Sequence, residues 1–507
     1  MSNDGLYVGF DSSTTACKAI AFDHHGTAVA EGRAVIALDN PSPDAWEQDG
    51  GRWWEALGEA SRAMMAALGR RADEVRAACI ANQRETVVVA DAAGEPKAPA
   101  LVWMDGRGAE QVEAAKAKLG ESYLHKVSGK PPCTTPSLYK LLALFAREPA
   151  LRDGDFRILD VHGFLSWKLT GCCATSLAAA DPMGMVDMQA RDWSEEILSL
   201  LDLERKHLPS LVEPGAVLGT LTEEAANHTA LAAGLPLIAG AGDGQCAGLG
   251  AGITGGARAY LNLGTAIVCG VLSTSYRCEM AFRTLYGAAP GSYFLETDLQ
   301  GGTFSLTWLL GRLLGCGEDE VEGRRASLER EALALPAGSD GLLFVPYLNG
   351  VMNPHWDDDA TALLFGLRGS HGPAHVYRAV LEGIALEQRS HLEGLETAVG
   401  RLEELVLLGG GAKSDLWCQI MADVTGRRVV RAGTVEATAL GAAMLAAVAC
   451  GPHQDVSAAA ASMTRLGARF EPGGHAPRYA TLYETVYRGL YQDVAGRMAA
   501  LAAFRRE

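Results

Sequence analysis

A run of small residues, Ala239-Gly-Ala-Gly-Asp243-Gly-Gln-Cys-Ala-Gly248, isolates one carboxylate among glycines. Flanks of that kind let a ligand approach the backbone closely and leave N–H donors exposed. A carboxylate held there can accept a hydroxyl proton during in-line attack on phosphorus. The competing reading of Asp243 is an N-cap for the helix beginning near Gly244, and the two roles are compatible. A second constellation opens the chain: the apolar run Leu6–Phe10 ends at Asp11, followed by Ser12, Ser13, Thr14 and Thr15 and, shortly after, Lys18. Hydroxyls, successive N–H groups and one ammonium suit a polyphosphate, while Asp11 suits Mg²⁺, which favours one or two carboxylates plus phosphate oxygens. A hydroxyl-rich hairpin turn is the competing reading there. Gly264-Thr265, between two further apolar runs, repeats the pattern and would grip phosphate from a facing side.

A third group speaks to the acceptor. Asn82-Gln-Arg84-Glu85-Thr86 lies between two strand-like runs, and an Arg–Glu pair can donate to and accept from adjacent hydroxyls. Trp103-Met-Asp105-Gly-Arg107 adds an indole able to face a carbon chain, although a core position is the commoner fate of a Trp. Several other chemistries are excluded: there is no GxxxxGK[ST], no HExxH and no GxSxG. GAGDGQ lacks the third glycine of the dinucleotide fingerprint.

These residues need a scaffold. The chain has 507 residues, too many for one ordinary core. Two element types occur in the same order in both halves, strand–turn–strand and then strand–Gly turn–helix, which predicts a duplicated α/β architecture divided near residues 245–256. On this reading residues 1–250 form one lobe and 251–507 the other. In the second element, Leu235–Ala239 is matched with Leu405–Leu408. Helices are predicted over 53–68, 136–145, 374–395 and 483–501, and the small apolar run 437–450 reads as a buried helix. No Pro-rich or Gly/Ser-rich linker separates the halves, so they should pack together around a cleft.

A net charge of −17 without a basic stripe argues against nucleic acid. No apolar run is long enough to span a membrane. Eleven cysteines without CxxC spacing read as reduced thiols of a cytoplasmic protein, and a homodimer is the assembly entertained.

Taken in order, FDSSTTACKAIAFD, GDGQCAG, NLGTAIV, PYLNGVMNPHWDDDATALLFGLRG, LGGGAKSDLWCQIMADVTGRRV and EATALGAAMLA resemble the motifs of the FGGY carbohydrate kinases over nearly the whole chain. The resemblance implies two lobes of the actin/hexokinase/Hsp70 (ribonuclease H-like) type enclosing ATP and Mg²⁺. It implies Asp243 as base, with Asp11 and Asp243 toward the metal, and Ser13, Thr14, Thr15, Lys18, Gly264 and Thr265 toward phosphate. Gly410, Gly411, Ala412 and Ser414 would lie along the adenosine, and Arg84, Glu85, Trp103 and Asp105 would meet the sugar or polyol. NQRET resembles glycerol kinases, whereas PHWDDD after PYLNG resembles xylulokinases. The expected acceptor is a pentulose such as xylulose, the alternative glycerol or another short polyol. An ATP-binding sensor or ATPase is the alternative from another class.

Overall fold

The computed structural model describes residues 5–506. The first sheet is built from Leu6–Ser12 (β1), Ala16–Phe22 (β2), Ala28–Val35 (β3), Val75–Asn82 (β4), Val217–Thr220 (β5) and Pro236–Gly242 (β6), in the order β5-β6-β4-β1-β2-β3. β1, β4 and β6 run parallel, and the rest pair antiparallel. The second sheet comprises Arg258–Leu263 (β7), Ile267–Ser273 (β8), Arg283–Tyr286 (β9), Tyr293–Leu299 (β10), Glu404–Leu408 (β11), Arg428–Ala432 (β12) and Leu466–Phe470 (β13). Its order is β9-β10-β8-β7-β11-β12-β13. Here β7, β11 and β12 are parallel. Each parallel trio reads as near-continuous apolar residues because helices cover both faces.

The two sheets repeat one plan, with β1 and β2 matching β7 and β8. The second correspondence drawn from sequence shifts by one strand. β11 lies directly beside β7, so its counterpart is β4 beside β1; β6, one strand further out, corresponds to β12. A buried strand, a glycine turn and a helix look alike in sequence wherever they stand in a parallel sheet, and lateral position leaves no local mark. The turn after β4 therefore matches the glycine turn after β11, and Asp243 after β6 matches Glu436 after β12.

Helices stand where predicted, with ends that differ by a few residues and 437–450 unchanged: Gly50–Leu68 (α1), Ser137–Arg147 (α2), Asp243–Gly250 (α3), Pro373–Val399 (α4), Asp415–Thr425 (α5), Ala437–Cys450 (α6) and Arg488–Arg506 (α7). A wider helical turn, Tyr483–Tyr487, precedes α7 within the predicted 483–501 span. Asp49 caps α1 by accepting from Gly51 N. α6 is buried among Tyr7, Ile20 and Phe22 of the first sheet although it follows a strand of the second. It lies against α3 with the two backbones touching. A Cβ built on Gly250 would stand 2.0 Å from Ala437 O, and one on Gly441 would stand 1.9 Å from Cys246 O. Only glycine permits that approach. The two contacts step in opposite directions along the helices, so the pair is antiparallel. All eleven cysteines are unpaired.

Candidate active site

β1 ends at Asp11, where a hairpin turn begins. Ser13 closes this turn: its N–H and its hydroxyl both donate to Ala16 O, at 3.0 and 2.9 Å. That hydroxyl is taken, while Thr15 at the tip is exposed and Thr14 accepts from Trp103 Nε1 at 3.0 Å. Lys18, opposite Asp11 in the β1–β2 register, is ion-paired to both oxygens of Glu436, at 2.9 and 2.6 Å. An anion arriving at this turn meets a lysine that already has a partner.

Asp11 Oδ1 is buried without a hydrogen-bond partner. Burial pushes its carboxyl up to about 7, the neighbouring Asp243 carboxylate pushes it further, and Lys18 opposes both. A buried carboxylate oxygen lacking a donor, beside a second carboxylate, fits a divalent cation that would relieve both costs. Among the described residues no cluster of three His, Cys, Asp or Glu side chains could hold a metal alone. Mg²⁺ does not require one, because water and nucleotide oxygens complete its shell.

Asp243 is the first residue of α3. Its Oδ1 accepts from Gly244 N at 2.8 Å and pairs with Arg84 Nε at 3.1 Å. Burial raises its pKa first, Arg84 holds it down, and Glu85 and Glu296 raise it again. The side chain keeps 40 % of its surface open, so the carboxylate forms a floor that a ligand can reach. As a proton acceptor it has free lone pairs and a fixed orientation.

Arg84 and Glu85 occupy the turn after β4, both buried. Arg84 Nη1 donates to both oxygens of Glu296, at 2.9 and 3.0 Å. Glu85 accepts from Arg283 Nη1 at 3.1 Å, and its carbonyl accepts from Ser137 Oγ at 3.0 Å, at the start of α2. Its φ of +55° is costly for a residue with a side chain, and these bonds hold it there. Trp103 is 37 % exposed, and its backbone N–H donates to Thr86 Oγ1, joining the turn after β4 to the hairpin turn after β1. Asp105 is fully engaged, accepting from Trp46 N of a distant strand and from Arg107 Nε and Nη2 of its own loop. The structure does not present it to a ligand.

On the second sheet, Gly264–Ala266 form the turn between β7 and β8, with Thr265 exposed at its tip. The carbonyls of Gly264 and Thr265 accept from Thr303 N and Phe304 N, which fixes the turn's shape. After β11, Gly410 is exposed, whereas Gly411, Ala412 and Ser414 are buried. The Ser414 hydroxyl accepts from Trp417 N, capping α5, and donates to Glu329 at 2.5 Å. Of that strip, Gly410 offers surface.

Sequence reasoning missed Glu296, Arg283, Asp298 and Glu436. A signal existed for two of them: Glu296 and Asp298 interrupt the otherwise apolar strand Tyr293–Leu299, and a charge in a buried strand needs a partner. Asp298 is pushed up to about 6 by burial, against the pull of Arg283. Gln300, just past that strand, joins Cys133, Thr134, Thr135, Trp356 and Asp358 in lining a cavity of about 300 Å³.

The description "FGGY family of carbohydrate kinases, N-terminal domain" matches residues 6–250, and its C-terminal-domain counterpart matches 259–450. The xylulose kinase of Escherichia coli K12 is 29% identical over 502 residues, covering 97% of this chain and all of that protein. The glycerol kinase of Thermococcus onnurineus is 31% identical over 455 residues, covering 88% of this chain and 89% of that one. Among solved structures, the xylulose kinase of Rhodospirillum rubrum superposes with a TM-score of 0.90 at 26% identity, over 97% of this chain and 100% of that one. Two matching domain descriptions, full-length relatives and a duplicated fold converge: this chain belongs to the FGGY family of carbohydrate kinases, phosphotransferases that use an alcohol group as acceptor.

Proposed function

We propose that the protein transfers the γ-phosphoryl group of ATP to a terminal hydroxyl of a small ketose, a pentulose of the xylulose type. The observation that carries this reading is the Asp243 carboxylate, open on one face and held by Arg84, with Glu85 beside it in the same turn. Asp243 accepts the hydroxyl proton as the acceptor oxygen bonds to phosphorus, and the bond to ADP breaks on the opposite side. Arg84 and Glu85 hydrogen-bond neighbouring hydroxyls, which aligns the attacking oxygen. The indole of Trp103 closes one wall toward the phosphate turn. Ser13–Thr15 and Gly264-Thr265 offer backbone N–H groups to the phosphates, and Gly410 lies along the nucleoside. Asp11, together with Asp243, would hold Mg²⁺, which neutralises charge developing on the transferred group.

Gln300, just past the strand of Glu296 and Asp298, lines a cavity of about 300 Å³, and on this reading the far end of an acceptor longer than three carbons would extend toward it. The cavity is at the small end for ligand sites, and its Thr134, Thr135, Gln300 and Asp358 provide donors and acceptors for a chain of hydroxyls. Glycerol or another short polyol is the second reading, favoured by the Arg84–Glu85 pair and the glycerol kinase relatives. We place the enzyme in the reducing cytoplasm, in keeping with its unpaired thiols.

A coupled ADP-release assay across xylulose, ribulose, erythritol and glycerol tests the assignment. ADP is expected only when an acceptor is present, with the highest kcat/KM for xylulose. A higher kcat/KM for glycerol would move the assignment to the short polyols. Turnover without any acceptor would instead mark an ATPase or sensor.

A further inference from the structure

We propose that Glu296 and Arg283, both on the second sheet, are positioning residues that set Arg84 and Glu85 of the first sheet against Asp243. The inference rests on the reading of Arg84, Glu85 and Asp243 given above.

Glu296 sits in β10 with none of its side chain exposed. It accepts two bonds from Arg84 Nη1, bonds of 2.9 and 2.6 Å from Arg283 Nε and Nη2, and one of 3.2 Å from the Tyr260 hydroxyl. One carboxylate thus fixes two guanidinium groups. Each of them reaches on to a carboxylate of the first sheet: Arg84 to Asp243 at 3.1 Å, Arg283 to Glu85 at 3.1 Å. The order Asp243–Arg84–Glu296–Arg283–Glu85 alternates charge through five residues and crosses between the sheets twice.

Burying four of these charges, Arg84, Glu296, Arg283 and Glu85, costs several kcal/mol per ion before pairing, and apolar packing would join two sheets at lower cost. What the network supplies is direction. An arginine's planar fork fixes angles as well as distances, so Arg84 cannot rotate away from Asp243 while Glu296 holds Nη1. Arg283 does the same for Glu85, whose backbone is already strained. Because β10 pairs with β8, the strand leaving the Gly264-Thr265 turn, the acceptor groups are also tied to the sheet that carries the second phosphate turn. Acceptor geometry then depends on how the two sheets are seated.

Three variants test this in the full-length enzyme, each checked for folding by its melting curve. Glu296→Gln keeps the shape and removes the charge; it is expected to raise the acceptor KM about tenfold or more and to leave the ATP KM within about twofold. Arg283→Lys keeps the charge but cannot bridge Glu296 and Glu85 together, and should raise the acceptor KM about fivefold. Acceptor KM values within about twofold of the parent in both variants, or equal rises in both KM values, overturn the proposal. If Glu296→Gln does not fold, the Arg283→Lys result decides alone by the same criterion. Arg84→Ala separates the two levels. If it leaves the acceptor KM unchanged, the acceptor site itself is misassigned. If it raises that KM while Glu296→Gln and Arg283→Lys do not, only the positioning role falls.

Discussion

Asp243→Asn is expected to lower phosphoryl transfer about 10²–10⁴-fold while ATP binding stays within about twofold. Asn is nearly isosteric, and its carbonyl oxygen can still accept from Gly244 N, as Asp243 Oδ1 does at 2.8 Å. What disappears is the capacity to take a proton. Arg84 loses one of its two anionic partners but keeps both bonds to Glu296, so the acceptor turn should stay in place. Nucleotide affinity should change little, because losing the charge both lessens repulsion of the phosphates and weakens the hold on Mg²⁺, for which Asp11 remains. Single-turnover measurements with saturating acceptor, alongside calorimetric titration of ATP, read the two effects separately. Near-normal turnover would remove Asp243 from its role as base. Loss of ATP binding together with turnover would show a damaged site, leaving the chemistry unassigned.

Gly441→Val is expected to lower stability by about 3 kcal/mol or more, the upper part of the overpacking range. The new Cβ would stand 1.9 Å from Cys246 O and 2.7 Å from its carbonyl carbon. Both atoms are backbone of α3, so no side chain can swing aside. The two helices must separate, and α6 carries much of the apolar surface packed beneath the first sheet, Leu440, Met444 and Leu445 among it. Separation would also displace Asp243 at the head of α3, so activity should fall with the melting temperature. Gly323→Ala, within the helix Glu318–Leu333, is the control, since nothing lies within 4 Å of a Cβ built there and alanine favours a helix interior. A Gly441→Val melting midpoint equal to that of the control would show that the helices tolerate more room than the geometry allows.

Much of this architecture is legible in the residues themselves. Glycine and hydroxyl residues between apolar runs marked both hairpin turns, and the small-residue run 437–450 marked a buried helix. Asp243, Arg84 and Glu85 stood out because charged groups beside glycines or between strands require a reason, and the fold brings them together. Lateral strand order was not legible, because β6 and β11 share a local pattern and differ only in which neighbour they hydrogen-bond. Pairing across long separations was equally hidden: Lys18 meets Glu436, and Arg84 meets Glu296, across 418 and 212 positions. Asp105 and Ser414 turn out to have internal partners, which the sequence hid for another reason. Short polar side chains satisfy nearby backbone or arginine groups as readily as they meet ligands, and sequence does not separate those uses.

The antiparallel crossing of α3 and α6 carries a mechanical consequence. With two backbones in contact through glycine, neither helix can press closer to the other, and the crossing becomes a fulcrum between the sheets. A small rotation there moves Gly250 and Gly441 hardly at all, while loops farther from the axis swing through longer arcs.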